Sequence, residues 1–239
     1  MGNYYGFEEY VPVAKKRENA RKYIEKLKKK NPNISPVVIE GRTIANTWWG
    51  KSWNQNLESY ADLSNRIARG RSYVRNGAVL DLQIESGKVK ALVQGSGTKP
   101  YQVNVGIDSP STTKWKRVTD ICNHKIETME DLMLGKFPKE LEILFTTTGD
   151  GLFPTPKEIH FECNCPDSAR VCKHIAAVLY GVSARLDKDP LLFFKLRNID
   201  VEALIKKSIE EKMKTMMKNA ESKSKRALDD SDVFDLFGV

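Results

Sequence analysis

Three cysteines and a histidine, Cys163, Cys165, Cys172 and His174, fall within twelve consecutive positions of this 239-residue chain. A segment that brings four such donors onto one ion has little freedom in how it folds around them. Three thiolates and one imidazole suit tetrahedral zinc, with Zn–S near ~2.3 Å and Zn–N near ~2.0 Å. All four positions are then filled by protein, so the expectation is one structural zinc ion (Zn2+) with no open place for a reacting water.

The spacing predicts how the four donors meet. Ile159, Phe161 and Cys163 alternate with polar residues and read as a short strand, in which residues two apart project to the same side. Cys163 and Cys165 then face one ion together. Pro166 and Asp167 turn the chain, with Asp167 or Ser168 placed to cap a short helical turn before the second pair. From Ile175 the apolar positions Ile175, Val178, Leu179, Val182 and Leu186 recur at helical spacing, and His174 stands at the start of that helix. A small strand-turn-helix knuckle results, to which metal binding contributes on the order of 10–16 kcal/mol, judged by zinc-finger peptides.

A Cys-x-Cys gap is tighter than that of an ordinary two-Cys, two-His finger. With Cys-x-His as the second pair, the spacing resembles the SWIM zinc finger. The resemblance extends to Gly151–Pro154 upstream and Ile175–Asp187 downstream, and to Thr47–Trp53 and Arg69–Gly77, covering roughly residues 40 to 205. Ser168 departs from it, standing where many SWIM proteins have an aromatic. The resemblance implies zinc binding together with DNA or protein binding, often beside Swi/Snf-type helicases, and it implies no catalytic activity.

The rest of the chain predicts an α+β fold. Leu80, Leu82 and Ile84 alternate with polar residues, a turn follows at Ser86-Gly87, and Val89, Ala91 and Val93 continue the pattern. Tyr101, Val103, Val105 and Ile107 supply a third strand of an antiparallel β-meander. Helices near Trp53–Tyr60 and Trp115–Leu134 are the expected covers of its apolar face. Basic helices are expected at both ends, over Ala14–Lys30 and Ala203–Arg226, before an acidic and apolar tail from Asp229. The predicted division is a basic helix and linker (1–40), the α+β body (41–150), the finger with its following helix (151–205), and the second basic helix with the tail (206–239).

A formal net charge of +8 points toward polyanions. Arg66, Arg69, Arg71 and Arg75 lie close together beside Gly70 and Tyr73. Guanidinium groups grip phosphate, glycine admits a close backbone, and an aromatic stacks on a base, so the stretch suits nucleic acid. The alternative is a set of ion pairs to Glu58, Asp62 and Asp81 that ties a helix to the sheet. A continuous basic face joining these arginines to Arg170 and Lys173 favours the first reading; an apolar groove beside the finger favours an interaction adaptor that docks a partner through the finger and the C-terminal tail, without nucleic acid.

Other motifs point away from chemistry. Trp48, Trp49 and Trp53 read as core anchors. Ala45–Ser52 resembles a nucleotide-binding loop, but two adjacent tryptophans suit poorly a wrap of exposed amides around phosphate. Cys122 and His124 lack a second ligand pair and read as a helical core cysteine beside a polar histidine, while His160 falls on the face opposite Cys163. No carboxylate stands with a nucleophile or an open metal position, so no enzyme is expected. No apolar run approaches the ~18 residues of a membrane span. Met1–Gly6 lacks the features of a signal peptide, and thiols committed to metal suit a reducing compartment, so the chain is expected in the cytoplasm and off the membrane.

Overall fold

The structure, a computed structural model, describes residues 12–59, 64–97, 99–122, 139–147 and 151–221. Its fold is α+β, as the alternation predicts. Helices α1 (Val13–Lys30), α2 (Trp48–Ser59) and α3 (Ser64–Arg75) precede strands β1 (Val79–Glu85), β2 (Lys88–Val93) and β3 (Tyr101–Ile107). Helices α4 (Thr112–Cys122) and α5 (Lys139–Thr146) follow, then strand β4 (Ile159–Cys163) and helices α6 (Lys173–Leu186), α7 (Leu191–Leu196) and α8 (Val201–Glu221). No helix among the described residues is long and apolar enough to cross a membrane.

The strands form one antiparallel sheet in the order β1-β2-β3-β4. Pairing places Leu82 opposite Ala91, Ala91 opposite Val103, and Val103 opposite Cys163. Cys163 therefore ends a row whose other members are buried core residues. The opposite face carries Lys88, Lys90, Gln102, His160 and Glu162, all exposed. This is the usual division of an antiparallel sheet that packs on one side and meets water on the other. The strand expected within the knuckle is thus also the edge strand of the meander.

Helix α6 lies over the apolar face. Twelve of its fourteen residues are buried, which requires packing on nearly every side. Close approach depends on glycines. A Cβ on Gly181 would lie 2.8 Å from Leu82 Cδ1, and one on Gly70 of α3 would lie 2.4 Å from Ala176 Cβ. The three tryptophans serve the core as expected: Trp53 is fully buried and donates to the Leu179 carbonyl, while Trp49 donates to that of Leu186. Where a nucleotide loop would wrap phosphate, the amides of Asn46 and Thr47 donate instead to the Asp187 carboxylate at the end of α6.

Of the helix expected over Trp115–Leu134, α4 accounts for the first part, and residues 123–138 lie outside the described ones, as does His124. The second basic helix begins at Val201, but its described span carries five lysines against four glutamates and is nearly neutral. Residues 222–239, including the expected acidic tail, are also outside.

β4 is set in place by a buried ion pair. The fully buried Arg197 guanidinium donates to the Asp108 carbonyl at 2.6 Å and to Glu158 Oε1 at 3.0 Å, one residue before the strand. Burial acts to raise the Glu158 carboxyl, but the Thr155 amide and Arg197 outweigh it and hold it at about 2, against an ordinary 4.5. Its stabilising contribution is therefore complete above pH ~4.5 and lost as pH falls through about 2. Arg197→Ala is expected to lower stability by about 3–5 kcal/mol in urea unfolding at neutral pH, and to flatten the acid limb of the stability curve between those values. A loss under ~1 kcal/mol with the acid limb unchanged would show that the pair does not position β4.

Candidate metal centre

The four residues singled out in the sequence converge. One donor atom from each of Cys163, Cys165, Cys172 and His174 lies within 4.8 Å of every other. His174 Nδ1 stands 3.9 Å from both Cys163 Sγ and Cys172 Sγ. Donors around a tetrahedral zinc with ordinary bond lengths lie roughly 3.5–3.8 Å apart, so the cluster is already near the size of the ion's shell. The group can hold a metal ion.

The strand β4 and the start of α6 position the donors. Cys163 ends β4 on the inward face of the sheet. Beyond it, Asn164 continues the pairing: its amide donates to the Gln102 carbonyl, and its side chain accepts from the Gln102 amide at 2.9 Å. Cys172 caps α6, its sulfur accepting from the Ile175 amide. His174, only 2% exposed, lies in the first turn between two aromatic rings. Tyr101 of β3 is tilted over it at 4.4 Å and Tyr73 of α3 meets it edge-on at 5.5 Å. With Nδ1 toward the sulfurs, Nε2 is buried and has no hydrogen-bond partner among the described residues.

The loop between the cysteine pairs is held by charge. Arg66 of α3 grips Asp167 with two bonds of 3.0 Å, and the same carboxylate accepts from the Ala169 amide. Arg66 and that amide keep the Asp167 carboxyl at about 2. The short helical turn expected before Cys172 is absent, because Asp167 closes an Asx turn instead of capping a helix.

Electrostatics favour a cation at the centre. The hydrogen bond from Cys163 pushes the Cys172 thiol below its ordinary range, helped by His174 and the Ile175 amide, while the same bond and burial push Cys163 up. One thiolate thus forms at its neighbour's expense. A divalent cation would relieve that competition by stabilising every thiolate together. Three thiolates and an imidazole are a donor set that suits zinc.

Of the residues expected to bind nucleic acid, several are engaged within the chain. Arg66 is engaged with Asp167, and Arg71 with Glu58 at 2.8 Å and with the Tyr180 hydroxyl at 2.7 Å. Of the ion pairs weighed as the alternative, the one to Glu58 is present; Asp81 instead accepts from the Ser35 amide, and Asp62 lies outside the described residues. Arg170 donates to the Pro156 carbonyl. Arg69, Arg75 and Lys173 have no hydrogen-bond or ion-pair partner among the described residues. Gly70 admits α6 rather than a nucleic-acid backbone, and Tyr73 packs on His174 rather than standing free to stack on a base. His160 is exposed and pairs with Asp108. Sequence reasoning missed Tyr101 as a wall of the site, since nothing in a strand's alternation tells which ring meets a histidine 73 positions later.

Cys172→Ser is expected to reduce bound metal from one ion per chain to none and to open the segment around residues 163–174 to limited proteolysis, because the residue is at once ligand and helix cap. Wild-type protein that folds without metal, by elemental analysis and circular dichroism, would contradict this.

The chain is similar to an uncharacterized protein, Rv2102, of Mycobacterium tuberculosis, with 38% identity over 183 residues. The match takes in 73% of this chain and 66% of that protein, so the chain spans just under two thirds of its relative's length. No family model matches the chain. No solved structure matches it either.

Proposed function

We propose that the chain is a SWIM-type zinc-binding module that binds nucleic acid through phosphate contacts and acts without catalysis of its own. The closed cluster of three cysteines and one histidine carries the zinc reading: its ligand chemistry and spacing suit a structural ion, and the resemblance to SWIM fingers agrees. The net charge of +8 and the arginines with no internal partner support the second half. A Swi/Snf-type helicase is the partner that the SWIM resemblance implies, and the cytoplasm is the compartment that free thiolate ligands suit.

A second reading, an interaction adaptor, rests on α8. Ile209, Met213, Met216 and Met217 are exposed at helical spacing, an apolar stripe of the kind that docks protein partners.

Fluorescence anisotropy with labelled single- and double-stranded DNA and RNA separates the two. The nucleic-acid reading expects binding that is largely indifferent to sequence and weakens linearly in log K against log salt between about 50 and 200 mM. Zinc-loaded, folded protein that binds none of the four at ~50 mM salt would leave the adaptor reading in its place.

A further inference from the structure

Helix α3 has two working flanks. At about 100° per residue, Ile67, Gly70 and Val74 point together into the core, and Arg66 and Tyr73 fall on the side of the metal centre. Arg71 and Arg75 fall on the other side. There they meet Arg17 of α1 and Arg42, which follows Gly41 at a φ of +79°. These four arginines, with Ser72 and Asn76, are the polar lining of an open cleft of about 610 Å3. Among the described residues, no carboxylate and no aromatic side chain lines it.

Two of the four arginines are held in place and two are free. Arg17 is anchored by two bonds to Asn76 Oδ1, at 2.8 and 3.1 Å. Arg71 is fixed by Glu58 and Tyr180, with its guanidinium 5.7 Å from the Tyr180 ring centre. Arg42 and Arg75 are exposed and have no partner among the described residues. Four guanidinium groups around one cleft repel one another, and among the described residues the one acid paired with any of them, Glu58, lies outside the lining. An anion entering the cleft relieves this repulsion and meets donors that are partly pre-organised, the arrangement in which arginine forks bind phosphate well.

We infer that the cleft between α1 and α3 is a phosphodiester-binding site, in which Arg17, Arg42, Arg71 and Arg75 grip the sugar-phosphate backbone of nucleic acid. This rests on the nucleic-acid reading above and says where the contact is made. The described lining offers guanidinium groups and no aromatic face for unpaired bases to stack on, so the contact assigned here is to the backbone and not the base. A polymer fits better than a single phosphate because the basic track runs on. Arg21, which also pairs with Glu25, and Lys28 share the flank of α1 that carries Arg17, and the eleven steps from Arg17 to Lys28 span about 16 Å.

The test uses the full zinc-loaded chain and a labelled 20-base-pair duplex, read by anisotropy across salt. Arg42→Ala with Arg75→Ala removes the two partnerless cleft arginines, and should weaken binding by about tenfold or more and reduce the salt slope by about two. Arg69→Ala with Lys173→Ala removes two equally partnerless cations outside the cleft and should weaken binding much less. If the double cleft variant unfolds in urea earlier than wild type, Arg42→Ala alone, on a turn outside every helix, carries the test with a slope change of about one. Wild-type binding that the cleft variant leaves unchanged would overturn the cleft while the nucleic-acid reading stands. No wild-type binding at all would overturn both. Inorganic phosphate that displaces the duplex better than sodium chloride of equal ionic strength would make free phosphate the occupant and overturn the assignment to the backbone.

Discussion

Helix α6 must be buried on nearly every side, and most of what surrounds it exists to make that possible. A helix with so few exposed residues leaves no room for flexible cover, so the sheet lies against it through Gly181 and α3 through Gly70. Its first turn is the demanding part. The initial amides of a helix have no partner within it, and here the Cys172 sulfur takes that of Ile175 while contributing to a cluster that reaches across to the sheet edge. The cysteine-histidine group is therefore a cross-link between the last strand and the central helix, and a bound ion would lock the register of one against the other.

That cross-link is supported from behind. Arg197 and Glu158 set the entry to β4, which puts Cys163 at the end of the inward-facing row. Tyr101 and Tyr73 confine the imidazole, and Arg66 holds the intervening loop through Asp167. Two of these contacts, from Tyr73 and Arg66, come from α3, so the metal centre and the arginine cleft lie on opposite flanks of the same helix. In the function proposed here, a structural ion that steadies α3 also steadies the guanidinium groups on its far flank, which lets a non-catalytic metal matter to binding.

Much of this was legible in the residues and some of it could not have been. The ligands were plain because Cys and His at fixed short gaps carry their chemistry locally, and the strands were plain because Leu80 to Ile107 alternate cleanly. Helix α3 was hidden. Of its three core positions one is a glycine, so the 3.6-residue apolar pattern shows only Ile67 and Val74 among arginines. The same segment therefore looked like a phosphate-binding stretch in which Gly70 and Tyr73 faced a ligand, whereas both face α6. The arginine cleft was only half visible: Arg71 and Arg75 stand one helical turn apart in the sequence, but Arg17 and Arg42 join them through tertiary structure alone, which no local pattern shows.

Zinc K-edge X-ray absorption on the purified chain tests the central claim most directly, because it reads the donors around the ion and not only its presence. The account predicts a four-coordinate shell of three sulfurs at ~2.3 Å and one nitrogen at ~2.0 Å. A shell with two or fewer sulfurs, or one completed by water oxygen, would contradict a closed structural site built from Cys163, Cys165, Cys172 and His174.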